Sequence, residues 1–316
     1  MASAARVPAE PAAGRGRPHR AGRREPGRTG VTGSRSRPAY LLLLPAGLWL
    51  ILFFVVPAVQ LFGTSLYDPA GSLTEGYRMT WAFGNYPAAL AAYWPQLLRS
   101  LGYAAAATVA CLVLGLPLAY AIAVKAGRWR NVLLIAVVAP FFTSFLVRTL
   151  AWQTILSDSG LLVGLLRDVH LLGPDGRLLA TPFAVVAGLT YNFLPFMVLP
   201  LYASLERLDG RLLEASADLY AGPAATFRRV TLPLAAPGIV AGTLLTFIPA
   251  AGDYINARLL GTPGTAMIGN VVDSAFLIRL DYPQAAALSF VLMAAVLLLV
   301  VAYLRRAGAA ALDRVA

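Results

Sequence analysis

Six apolar runs, each about 20 residues long and nearly free of charge, punctuate this chain. A helix of that length crosses the roughly 30 Å hydrocarbon core of a bilayer. The pattern predicts spans at Ala39–Phe62, Ser100–Val124, Asn131 to about Leu156, Leu178–Leu205, Leu234 to about Ile255, and Tyr282–Leu304. Arg148 alone interrupts the third run, and Asp253 lies near the end of the fifth. The segments between the runs are too short for separate domains. Tyr67–Leu98 reads as an outer loop whose Trp81, Tyr86, Tyr93 and Trp94 suit an interfacial aromatic belt. Ser157–Leu179 holds a turn at Gly173–Gly176, and Leu260–Asp281 follows the fifth run.

Composition agrees with this pattern. Hydrophobic residues make up 58% of the chain and charged residues 13%, about half the charge of a typical soluble domain. The expected class is an all-α integral membrane protein of six transmembrane helices. Six crossings put both termini on one side, and arginine and lysine say which. Nineteen of the 26 basic residues fall on one face: nine in residues 1–38, then Lys125, Arg128, Arg130, Arg207, Arg211, Arg228, Arg229, Arg305, Arg306 and Arg314. That face is expected to be cytoplasmic, with N and C termini both inside. Residues 1–38 interleave arginine with Gly, Pro, Ser and Ala, so they read as a disordered cytoplasmic tail. The tail is too long and Arg-dense for a cleaved leader, and it suits anionic lipid better than nucleic acid. Residues 39–305 form the membrane domain, and 306–316 a short second tail.

Catalytic chemistry is hard to find. Lys125 is the only lysine, and no phosphate-binding GxxxxGK[ST] loop surrounds it. His19 and His170 lie far apart, Cys111 sits within an apolar run, and no metal-ligand spacing occurs. The chain reads as a non-enzyme with no cofactor of its own. The informative polar residues are those at membrane depth, where they are costly. These are Arg148; Asn192 beside Tyr191; and Asp253 with Tyr254 and Asn256. Pro182, Pro195 and Pro200 in the fourth run, and Pro237 and Pro249 in the fifth, interrupt the helical ladder. Broken backbone at that depth is tolerated where it is buried in protein or lines a wet cavity, so these runs are candidate pathway helices. Structural roles compete. Arg148 can snorkel to the interface, Asn192 can bond a neighbouring helix, and Asp253 can pair with Arg258 or Arg148.

Between the fourth and fifth runs lies EASADLYAGPAATFRRVTLP, Glu214–Pro233. Ala-rich helix formers run to Leu219, Gly222 and Pro223 break the pattern, and a second short helical run follows. A connector needs only a few residues, so a structured one of this length suggests a docking surface. The stretch resembles the EAA loop of ABC importer permeases, whose pattern is Glu-Ala-Ala, three residues, Gly, nine residues, Ile-x-Leu-Pro. Glu214, Ala215 and Ser216 match the opening, and Val230, Leu232 and Pro233 the close. Ser216 replaces the second Ala, and Tyr220 stands where the family has Gly, with Gly222 two residues later. In that family the loop, here about residues 206–233, docks on the ATP-binding subunit. Glu214 is expected to cap or pair at the docking helix.

The resemblance covers roughly residues 40–305. Phe247–Gly261, Met267–Asn270 and Ala286–Ser289 are similar to spermidine/putrescine-type permeases. It implies a type I ABC importer permease fold. It also implies a dimer of ATP-binding subunits carrying ATP and Mg, a second permease subunit, and an extracytoplasmic solute-binding protein. Permeases for ferric ion, phosphonate or other organic cations share much of the pattern. A stand-alone secondary transporter is the rival from another class, and it leaves Glu214–Pro233 unexplained.

Overall fold

The structure is a computed structural model that describes residues 44–312 apart from 73 and 174. The expected basic tail, the start of the first span and residues 313–316 lie outside the described residues. Contacts divide the chain after Phe53. In the first unit, residues 44–53 are helical and apolar, with the Trp49 and Phe53 rings 4.2 Å apart.

Among the described residues, the regular secondary structure of the second unit is helical, apart from two isolated β-bridges, Tyr67 to Met79 and Ser72 to Gly76. Its helices are α1 (Val56–Ser65), α2 (Asn85–Tyr120), α3 (Arg130–Val138), α4 (Phe145–Leu156), α5 (Leu161–Asp168) and α6 (Pro182–Leu205). They continue with α7 (Gly210–Asp218), α8 (Pro223–Thr226), α9 (Ala236–Ala251), α10 (Ile255–Leu260), α11 (Ile268–Leu277) and α12 (Tyr282–Leu312). Among the described residues, five helical stretches are long and apolar enough to cross a membrane: Leu44–Ser65, Asn85–Lys125, Phe145–Asp168, Pro182–Leu205 and Tyr282–Ala307. A sixth arises when Pro223–Leu234 and Ala236–Ala251, meeting at 65°, count as one broken span.

Two expectations need correction. The segment read as an outer loop up to Leu98 is helical from Asn85, so α2 starts about four turns before the predicted Ser100. Pro87 lies in its first turn, where a missing N–H costs nothing. Pro95 is absorbed by a kink at Tyr93 (φ −126°, ψ 17°). The third predicted span is not one helix. Pro140 lies in a short 3-10 turn, Ala139–Phe142, and Thr143 and Ser144 are extended before α4 begins. A proline without an N–H, followed by two extended residues, ends the hydrogen-bond ladder there.

The core is the contact of α2, α6 and α9. One cluster joins Ala104, Ala107, Val185, Leu189, Phe193, Ala250 and Ala251; another joins Cys111, Ala119, Met197, Val198, Leu201 and Ala235. Small residues let these helices approach, the usual solution where lipid offers no hydrophobic drive for packing. A Cβ on Gly242 of α9 would lie 2.7 Å from Met197 Sδ. The outer faces are different: Leu297 and Leu298 of α12 and Val109 and Val113 of α2 are exposed, as lipid-facing positions should be.

Candidate functional site

The first candidate region is the stretch after α6. Glu206, just beyond that helix, forms an ion pair with Arg130 at the start of α3. Arg130 Nε donates to the Tyr202 hydroxyl, and the guanidinium lies 5.0 Å from the Tyr202 ring centre. The root of the loop is thereby tied to the turn between α2 and α3. Asp209 then caps α7, its Oδ1 accepting from Arg211 N at 3.0 Å. The expectation that Glu214 would cap this helix is corrected. Glu214 is the fifth residue of α7, is exposed, and forms no ion pair among the described residues.

The turn after α7 explains the glycine of the EAA pattern. Ala221 N donates to Ser216 O (3.0 Å) and Tyr220 N to Ala217 O (2.9 Å), with Tyr220 at φ 54°. This is a Schellman closure, whose left-handed residue is usually Gly. A tyrosine there costs roughly 1–2 kcal/mol. Gly222 does not take over the left-handed role. It sits at φ −65° as the residue capping α8, and its carbonyl accepts from Thr226 N at 3.0 Å. Ser216, at the second Ala of the motif, is buried; its hydroxyl donates to Leu213 O and lies 3.0 Å from Thr226 Oγ1. The substitution therefore pins α7 to α8. Phe227 meets Tyr120 of α2 edge-on, 6.3 Å between centres. A cavity of about 400 Å³ lies between them, lined by Tyr120, Lys125, Leu213, Ser216 and Phe227. Leu232 and Pro233 close the stretch just before the 65° bend into α9.

The second region is a polar cluster among apolar helices. Asn192 of α6, 1% exposed, donates from Nδ2 to Thr149 Oγ1 of α4 (3.2 Å) and to Asn256 Oδ1 of α10 (3.1 Å). Asp253, between α9 and α10, is buried and accepts Asn256 N, a first-turn amide of α10, at 2.9 Å. The approach of α10 to α6 requires Gly188, one turn before Asn192. A Cβ there would lie 2.3 Å from Leu260 Cδ1 and 2.7 Å from Asn256 Oδ1.

Of the residues singled out in the sequence, Asn192, Asn256 and Asp253 come together. Thr149 joins them unannounced, because a threonine in an apolar run carries no signal until a partner faces it. Arg148, its neighbour, is buried with its guanidinium 5.5 and 5.6 Å from the Phe141 and Phe145 rings. Tyr191 packs on Trp152 at 5.4 Å. Tyr254 belongs to another surface: it lines an apolar groove of about 620 Å³ with Ile248, Val272, Phe276, Met293 and Val296. The ion-pair alternative for Asp253 is not realised among the described residues, where Arg258 pairs with Asp273 at 3.1 Å. Arg148 Nε and Nη1, Asn192 Oδ1 and Asn256 Nδ2 are buried without hydrogen-bond partners. Buried polar atoms are nearly always satisfied, and Asn192 Oδ1 and Asn256 Nδ2, on side chains already bonded to each other, keep capacity for a further polar partner.

A multi-span helical protein with a structured polar loop and a polar cluster at a helix break has the design of a membrane permease. Residues 112–314 match the family described as binding-protein-dependent transport system inner membrane component, and the chain belongs to that family. It is 40% identical over 260 residues to the spermidine/putrescine transport system permease protein PotB of Escherichia coli K12, covering 81% of this chain and 93% of that one. The PotB of Haemophilus influenzae is 38% identical over 258 residues, covering 81% and 90%. The fold is also that of a chain in the crystal structure of a bacterial ABC transporter involved in the import of alginate. That match has a TM-score of 0.61 at 17% identity and covers 86% of this chain and 96% of the other.

Proposed function

We propose that this chain is one permease subunit of an ATP-driven importer that carries polyamines inward across a bacterial plasma membrane. The observation that carries the substrate class is the 38–40% identity to spermidine/putrescine permeases over four fifths of the chain. The polar cluster supports it. A polyamine is a flexible polycation with an aliphatic spine, and Asp253 offers the negative charge while Asn192, Asn256 and Thr149 offer neutral polar groups. Aromatic faces at Tyr191 and Trp152 suit an alkylammonium chain.

ATP and Mg belong on a separate pair of ATP-hydrolysing subunits, for the chain has no phosphate-binding loop of its own. A second permease completes the pathway, and an extracytoplasmic binding protein delivers the solute. The loop of residues 206–233 carries the motion of the ATP-hydrolysing pair to α6 and α9. The test is uptake of labelled spermidine by the reconstituted assembly, challenged with excess putrescine, ferric ion or phosphonate. Competition by putrescine alone is expected. Competition by phosphonate or ferric ion, with no effect of putrescine, overturns the substrate class and leaves the importer reading standing.

Two predictions follow from the loop and its sidedness. With Cys111→Ala as background, a cysteine at Ser72 is expected to react with an impermeant thiol reagent in intact cells, and one at Ala217 only after permeabilisation. The reverse pattern would invert the topology. Arg130→Glu or Glu206→Arg alone places like charges at the loop root and is expected to lower uptake per ATP hydrolysed. The double swap should recover a good part of it. The pair is half-exposed, so its stability effect should stay within about 1 kcal/mol. Equal coupling in all three variants would show that the tie transmits nothing.

A further inference from the structure

Asp253 lies where the helical ladder is interrupted. The bonds of α9 end with Asp253 N to Ala250 O (3.3 Å), and those of α10 open with Arg258 N to Tyr254 O (3.0 Å). The Asp253 carboxylate accepts Asn256 N and forms no ion pair among the described residues. Its place therefore depends on the backbone of residues 252–254, and the start of α11 grips that backbone. Asn270 Nδ2 donates to Tyr254 O at 2.8 Å, while Asn270 Oδ1 accepts Met267 N at 2.9 Å, so the amide is fixed at both ends. Gly269 lets the two backbones touch: a Cβ there would fall 2.8 Å from Gly252 O and 3.0 Å from Asp253 O. The gripping segment is itself bound to α2. Buried Ser100 accepts Ile268 N on its Oγ at 2.8 Å, and Arg99 Nη1 donates to Ala266 O at 2.8 Å. A continuous polar path thus runs from α2 through residues 266–270 to the carbonyl next to Asp253.

Resting on the polyamine reading above, in which Asp253 meets the solute, we infer that Asn270 is a positioning residue for the Asp253 carboxylate. It acts through Tyr254 O and touches no solute itself. Tying down the turn before α11 needs only the Oδ1 acceptor on Met267 N. The donor on Tyr254 O is the additional bond, and it holds the break in the one place where neither helix does.

Asn270→Asp separates the two halves of the amide. A carboxylate keeps the acceptor for Met267 N and suits a helix N-terminus, but it has no donor for Tyr254 O. Its negative charge would by itself favour a polycation, so a loss of uptake reports the broken tie. In the full assembly with the second permease, the ATP-hydrolysing subunits and the binding protein, labelled spermidine uptake is expected to fall about fivefold or more. The unfolding midpoint of the permease pair should hold. Added to Asp253→Asn, the same change should cost no more than about a further twofold, because no charge is left to place. Losses that multiply in the double variant overturn the positioning role, since Asn270 would then act apart from the carboxylate. A fall in the midpoint or failed assembly of Asn270→Asp assigns Asn270 to the fold and overturns it too. Parental uptake by Asn270→Asp, with Asp253→Asn impaired, defeats the positioning role alone. Parental uptake by both variants removes Asp253 from the pathway, and the positioning role with it.

Discussion

Asp253→Asn is expected to cut polyamine uptake at least tenfold while assembly and basal ATP hydrolysis persist. The reasoning separates geometry from charge. Asp253 Oδ1 accepts the Asn256 backbone N–H, and an asparagine oxygen can accept the same bond, so that tie to the first turn of α10 survives. What disappears is a carboxylate at a break between helices, buried and without an ion-pair partner among the described residues. A unit charge about 4 Å from an ammonium contributes roughly 4 kcal/mol at an effective dielectric near 20. Retaining a third of that in the transport step corresponds to about tenfold in rate. Asp253→Ala should be worse in a second way, lowering thermal stability by about 1 kcal/mol through loss of the hydrogen bond from Asn256 N. Wild-type uptake by Asp253→Asn would remove the carboxylate from the pathway. Failure of that variant to assemble would assign Asp253 to the fold.

Gly188→Ala is expected to lower both thermal stability and uptake, and Gly188→Leu to prevent assembly. The added Cβ would fall 2.3 Å from Leu260 Cδ1 and 2.7 Å from Asn256 Oδ1. Leu260 can swing its end away, but Asn256 is held by Asn192 and cannot move without breaking that bond. Overpacking of this kind typically costs about 1–3 kcal/mol. A further 1–3 kcal/mol is at stake if the Asn192 donor is left unpaired at depth. Detergent-phase melting and uptake read the two effects. An alanine variant with unchanged melting and uptake would mean that α6 and α10 pack more loosely than the structure has them.

Much of this was legible from the chain alone. Bilayer thickness sets the length of a span and hydrocarbon excludes charge, so the runs at Leu178–Leu205 and Tyr282–Leu304 announce helices almost where α6 and α12 stand. The Glu214–Pro233 stretch was legible because turn chemistry is local. Gly222 and Pro223 mark where α8 begins, and the spacing from Glu214 to Pro233 carries the family resemblance. Local rules also misled. Tyr67–Leu98 read as a loop between apolar runs, yet it is helical from Asn85, with Pro87 in the first turn and Pro95 accommodated by a kink at Tyr93. Glu214 looked like a cap, but the cap belongs to the residue at the entry of the helix, Asp209.

What the sequence determined by itself was the inventory: the number of apolar runs, the absence of a phosphate-binding motif in the printed sequence, and the presence of Arg148, Asn192, Asp253 and Asn256 in or beside those runs. Tertiary structure decided which of these meet. Asn192 reaches Thr149, 43 positions away, and Asn256, 64 away. Pairings at such separations depend on the crossing of α4, α6 and α10, which a small residue at 188 permits. Periodicity within one helix carries no information about the helix opposite, so Tyr254 and Asp253, adjacent in sequence, end on different surfaces. The charge of Arg258 is likewise spent on Asp273 and not on Asp253.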